Sequence, residues 1–93
     1  MKTLKNLPNV QNMVSPNGND VPNQFEIRDG KRRIFKSYYS IIAVIDGDKI
    51  TLDAEKWDYS TTTGKYRNQF LGETKKETEK KIAAGIYKLA KLN

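Results

Sequence analysis

The densest chemistry in the sequence lies in Trp57 to Leu71, WDYSTTTGKYRNQFL. Three consecutive threonines precede Gly64, Lys65 and Arg67. Hydroxyls and unpaired backbone N–H groups at the start of a helix make an anion site, and two cations follow at once. Thr61, Thr62, Thr63, Lys65 and Arg67 are therefore candidates for gripping a phosphate. The run is not a P-loop, which needs a glycine, four residues and then Gly-Lys-Ser/Thr; here Gly64-Lys65 is followed by tyrosine. The plainer reading is that one hydroxyl caps the helix and the others are solvated.

A second set of candidates is cationic. Arg32 and Arg33 flank the first Asp-Gly turn, and Lys75, Lys76, Lys80 and Lys81 crowd a second helix. Residues 60–93 hold eight cations and three anions, so most of the formal charge of +6 sits in the last third. Tyr38, Tyr39, Tyr66 and Tyr87 are interleaved. Such residues supply phosphate affinity and stacking surfaces for unpaired bases. The expected partner is nucleic acid of unknown sequence preference, or an acidic protein; a homo-oligomer is a further possibility. The plain alternative is tyrosines in the core and lysines that solubilise.

Other chemistries are disfavoured. Cysteine and histidine are absent, which removes thiolate metal sites, the commonest metal ligand and the commonest general base. Asp46, Asp48, Asp53, Glu55 and Asp58 do not follow the calcium-loop pattern. The expectation is a non-enzyme with no metal and no cofactor. No run of eighteen apolar residues exists, and MKTLKNLPNVQNMV lacks the apolar core of a signal peptide, so the expected location is cytoplasmic, away from membranes.

The elements that must hold these residues are short. Ninety-three residues make one domain with a small core. From Gln24 the hydrophobic period is two, and Asp29-Gly30 and Asp46-Gly47 are hairpin turns. The pattern predicts an α+β domain over 24–93. It has an antiparallel meander of three or four strands over about 24–53, then two short helices at about 61–71 and 75–84 packed on one face. Whether 32–45 is one bent strand or two is open. The expected core takes Phe25, Ile27, Ile42, Val44, Ile50 and Leu52 from the strands. Trp57, Tyr66, Phe70 and Ile82 complete it from the helical half. Trp57 would cover the sheet where the helix crosses it.

Helix signals are specific. Ser60 or one of the threonines caps the first helix, and Gly72 ends it. Thr74 with Glu77 fits a capping box. The preferred end of the second helix is Gly85, leaving 86–92 extended or docked; the alternative is a helix that continues, since Ile82, Ile86 and Leu89 keep helical spacing. Residues 1–23, rich in asparagine and holding all three prolines, read as an irregular or flexible arm with a turn or two of helix around Asn6 to Val14.

Four segments carry a resemblance: SPNG with VPNQF at 15–25, SYYSIIA at 37–43, WDYSTTTGKYRNQFLGE at 57–73 and KKETEKKIAAG with YKL at 75–89. They resemble small proteins of tailed phages of gut bacteria, the crAss-like group among them. The most specific part is WDYS-x-TT-x-x-YRN-x-FLGE. The resemblance implies a phage accessory protein acting in the host cell and assigns no activity. Binding nucleic acid, self-assembly and disabling a host defence system, in the manner of an anti-CRISPR protein, all fit it.

Overall fold

The computed structural model describes residues 9–93. They form an α+β unit with one six-stranded sheet in the order β1-β2-β3-β4-β5-β6. The strands are β1 (Asn9–Val14), β2 (Asp20–Asp29), β3 (Arg32–Ser37), β4 (Ser40–Asp46), β5 (Lys49–Asp53) and β6 (Tyr87–Ala90). Helices α1 (Thr61–Leu71) and α2 (Lys75–Ala83) lie between β5 and β6. The first five strands are antiparallel neighbours joined by turns, and β6 returns to lie parallel to β5.

Both Asp-Gly turns form, with Gly30 at φ +63 and Gly47 at φ +60, the left-handed backbone that a two-residue hairpin demands. Residues 32–45 are two strands. Tyr38 and Tyr39 make the turn between them, and Ile42 is the extra residue of a bulge opposite Phe35 and Lys36.

The sheet has six strands where the pattern predicts three or four. Residues 9–14 and 20–23, expected to be irregular or briefly helical, are strands. The turn chemistry of Ser15 to Asn19 closes them into a hairpin, with the Gly18 N–H bonded to the Ser15 carbonyl at 2.9 Å. Asparagine has poor β propensity, but pairing with β2 overrides it. The expected capping by Asn6 lies outside the described residues. At the other end, 87–90 docks on β5 as a strand.

Both helices pack on the same face. Phe35 stacks on Phe70 at 5.7 Å between ring centres. Buried with them are Met13, Ile42, Ala43, Leu52, Tyr66 and Tyr87, and Ile45, Ile50, Trp57 and Ile82 pack around this cluster partly exposed. Phe25, Ile27 and Val44, expected in the core, lie on the other face. Cross-strand partners share a face, and the rows Val10–Ile27–Ile34–Val44–Thr51 and Phe25–Lys36–Ile41 both face away from Phe35. On the covered side β2 contributes Gln24 and Glu26, opposite Ser37 and Phe35. Alternation reveals two faces but does not say which one the helices cover, and one residue of slip exchanges them.

Candidate functional site

Helix α1 begins where the sequence signals it. The Ser60 hydroxyl accepts the Thr63 N–H at 3.1 Å, Gly72 closes the helix at φ +70, and no acidic residue occupies the first turn. The carboxylate near the positive end of the helix is that of Asp58, in the loop before it. Thr61, Thr62 and Lys65 are exposed there.

Thr63 and Arg67, expected to face a phosphate, point inward. Thr63 is fully buried and its hydroxyl bonds that of Ser37 at 2.8 Å. The Arg67 side chain is 1 % exposed. Its guanidinium donates to the Trp57 carbonyl at 2.8 Å, to Asp58 Oδ1 at 2.9 Å and to Asn68 Oδ1 at 2.9 Å. It also stacks on the Trp57 ring at 5.1 Å. Planarity and a fork of donors suit arginine to this clamp. Removing one partner of such a buried pair typically costs about 3–5 kcal/mol.

Asp58 is the hub. Its second oxygen takes the Lys75 ammonium at 2.6 Å, so one carboxylate ties the loop before α1 to both helices. Burial pushes its carboxyl up, but the bonds from Lys75 and Arg67 outweigh this and hold it below the usual range. Above it lies an open groove lined by Asp58, Tyr59, Ser60, Thr61, Gly64, Lys65, Arg67, Asn68 and Lys75. Gly64 forms part of the floor, where a Cβ would meet Asp58 Oδ1 at 3.5 Å and the Arg67 guanidinium at 3.6 Å.

The β3–β4 turn stands at the same end of the molecule. Ser37 and Ser40 bracket it; Ser37 touches Thr63 of α1, and Ser40 accepts the Lys56 ammonium at 2.9 Å. Between them Tyr39 is 95 % exposed and Tyr38 is 42 % exposed. Tyr38 has φ +55, a costly conformation for a bulky side chain, and its N–H bonds the carbonyl of Asn23, itself at φ +66. Tyr59 adds a third exposed ring, at 46 %. Beneath them Gln24 is fully buried, and neither atom of its amide has a hydrogen-bond partner.

The remaining candidates are dispersed. Lys81 pairs with Glu73 at 2.6 Å, Arg32 with Asp29 at 2.6 Å and Arg33 with Glu26 at 3.0 Å. Arg33 also roofs the Phe70 ring at 5.0 Å. The Glu73 side chain is 4 % exposed and accepts Thr78 at 2.5 Å and Tyr87 at 2.8 Å besides Lys81. Burial raises its pKa, and these three bonds more than reverse the effect. Among the described residues Lys65, Lys76 and Lys80 make no ion pair. No group of three potential metal-ligating side chains occurs among the described residues. No helix there is long and apolar enough to cross a membrane.

Sequence reasoning names Tyr38 and Tyr39 as stacking surfaces but does not place their turn beside the start of α1, because the Ser37–Thr63 contact that joins them is long-range. It also missed Asp58 and Glu73 as hubs, since their partners are distant in sequence. Residues 7–85 match a family of unknown function, DUF8033, and the chain belongs to that family. No curated protein and no solved structure matches it.

Proposed function

We propose that this member of DUF8033 is a non-enzymatic accessory protein that binds single-stranded nucleic acid at the groove end of the molecule. One observation carries the reading. Three exposed tyrosines, Tyr38, Tyr39 and Tyr59, share an end with the N-terminus of α1 and with Lys65, and the one carboxylate lining the groove there, Asp58, is already paired with Arg67 and Lys75. Aromatic faces stack on bases whatever their sequence, and a cationic groove tracks the backbone. The phosphate contacts fall to Thr61, Thr62, Lys65 and Lys75, with Thr63 and Arg67 holding the groove from inside. The sequence resemblance to phage proteins favours a role in the cytoplasm of an infected cell.

This narrows the surface expected from the sequence. The cations of the C-terminal half are partly engaged with carboxylates, so the reading rests on the α1 end and not on one continuous basic patch. The test is fluorescence anisotropy with labelled oligothymidine, oligouridine and duplex DNA at ~50 mM salt, where phosphate contacts are strongest. Single strands should bind tighter than duplex. Tyr39→Ala should cost roughly tenfold, within the ~1–3 kcal/mol range for one stacked base. Gly64→Ala should raise the melting temperature yet weaken binding, since its methyl fills the groove floor. No binding by any strand, or full binding by Tyr39→Ala, overturns the reading.

A self-assembling component is the second reading. The uncovered apolar face of the sheet favours it, and it directs attention to the sheet's edges.

A further inference from the structure

The two edges of the sheet are defended differently. Natural sheets guard exposed edges with short strands, lysines or prolines, because unpaired N–H and C=O groups invite another strand. β6 is four residues long and carries Lys88. The tail after it turns back, with the Leu92 N–H held by Asp53 at 2.8 Å and the Asn93 amide bonded to the Ile41 backbone at 2.7 and 2.9 Å. Among the described residues β1 has none of these guards. Its sequence is NVQNMV, six residues without a charge or a proline, and it pairs with β2 alone among the described residues. Asn9, Val10, Gln11 and Asn12 are exposed, Val10 by 59 %.

We propose that β1 pairs antiparallel with β1 of a second copy, joining two sheets edge to edge about a two-fold axis. Three observations favour a second copy of this chain over another partner. In an antiparallel pair about a two-fold axis residue i faces residue j and j faces i, with only the central residue opposite its own mate, so like charges on such a strand are brought across from one another. β1 is the one strand of the six without a charged side chain. The chain as a whole carries +6, so contact through its basic surfaces sets cations against cations. Finally, the row Val10–Ile27–Ile34–Val44 ends at this edge, and pairing continues it into the same row of the second copy, covering Val10. Gln11 and Asn12 bring amides that both donate and accept, so each can bond whichever polar group of the second strand stands opposite. The irregularity between Asn12 and Val14 ends the regular ladder, leaving Asn9 to Asn12 as the pairing segment.

The proposal is independent of nucleic-acid binding and is tested without nucleic acid. Sedimentation velocity of the whole chain over a concentration series should show a reversible dimer. Val10→Lys and Gln11→Lys should each weaken it at least tenfold. Val10 is exposed and Gln11 faces Glu26 across the strand, so neither change reaches the core, and the circular-dichroism melt reports the fold. The chain has no cysteine, so single cysteines give clean cross-links. At least one of Val10→Cys, Gln11→Cys and Asn12→Cys should cross-link under mild oxidation, and Val44→Cys, in the middle of the open face, should not. A wild type that stays monomeric up to ~1 mM overturns the proposal. So does cross-linking through Val44→Cys with none through β1, which would mean that the faces stack and the edges do not pair.

Discussion

The two faces of the sheet exchange the roles that side-chain type assigns them. Under the helices, β2 and β3 place Gln24, Ser37 and the Glu26 carboxylate beside Phe35. On the face the helices leave open, the same strands place Phe25, Ile27 and Ile34. A polar side chain is tolerated inside only when it is bonded, and the covered face shows how that is met. Ser37 has Thr63, Glu26 has Arg28 and Arg33, and Arg67 has Trp57, Asp58 and Asn68. Arg67 leaves its Nε unpartnered, and Gln24 breaks the rule outright, with neither atom of its amide bonded at full burial. The lesson is that β2 is placed by its register with β3, which Phe35 anchors against Phe70, and not by its own hydrophobicity.

Neighbouring residues on β3 give the sharpest contrast. Phe35→Ala should cost about 3–5 kcal/mol in urea denaturation, because a fully buried ring leaves a cavity. Ile34→Ala, one residue away on the open face, should cost about 1 kcal/mol or less in the isolated chain. Equal costs would mean that something covers the open face in solution. Next in size is Gln24→Met. If the buried amide is a pure liability, the substitution should stabilise by roughly 1–2 kcal/mol. Destabilisation would reveal a water or ligand held there.

The smallest effect is in acid. The Glu73 carboxyl lies below its ordinary range in the folded chain, despite burial, because of Lys81, Thr78 and Tyr87. A group depressed on folding contributes stability above its unfolded pKa and loses it as pH falls through the folded value. Thermal melts should therefore decline below about pH 4.5, by about 1.4 kcal/mol for each unit of depression. Glu73→Gln should flatten that decline. An unchanged pH profile in this variant would assign the acid sensitivity to Glu26, Asp53 and Asp58, whose carboxyls are also depressed.

The sequence made local features legible. Ser60, Gly72 and the Thr74–Glu77 box mark helix ends through bonds spanning a few residues, and the two Asp-Gly turns do the same for hairpins. What stayed hidden was long-range. β1 reads as an arm because its asparagines disfavour a strand until β2 supplies the partner. Phe25, Ile27 and Val44 read as core because alternation carries no sign. Thr63 and Arg67 read as ligands because nothing beside them in sequence announces Ser37, Trp57 or Asp58 as the groups that hold them.

The return of β6 to β5 has a consequence for the order in which the domain assembles. Each of the first five strands finds its partner across a short turn, whereas β6 meets β5 only after both helices have been laid down. Loop closure must be met before such a pairing returns anything. The seam held by Asp53, Leu92 and Ala90 is therefore expected to close after the meander, and weakening it should hasten unfolding more than it slows refolding in stopped-flow kinetics. The tail then acts as the latch of a sheet that is already standing.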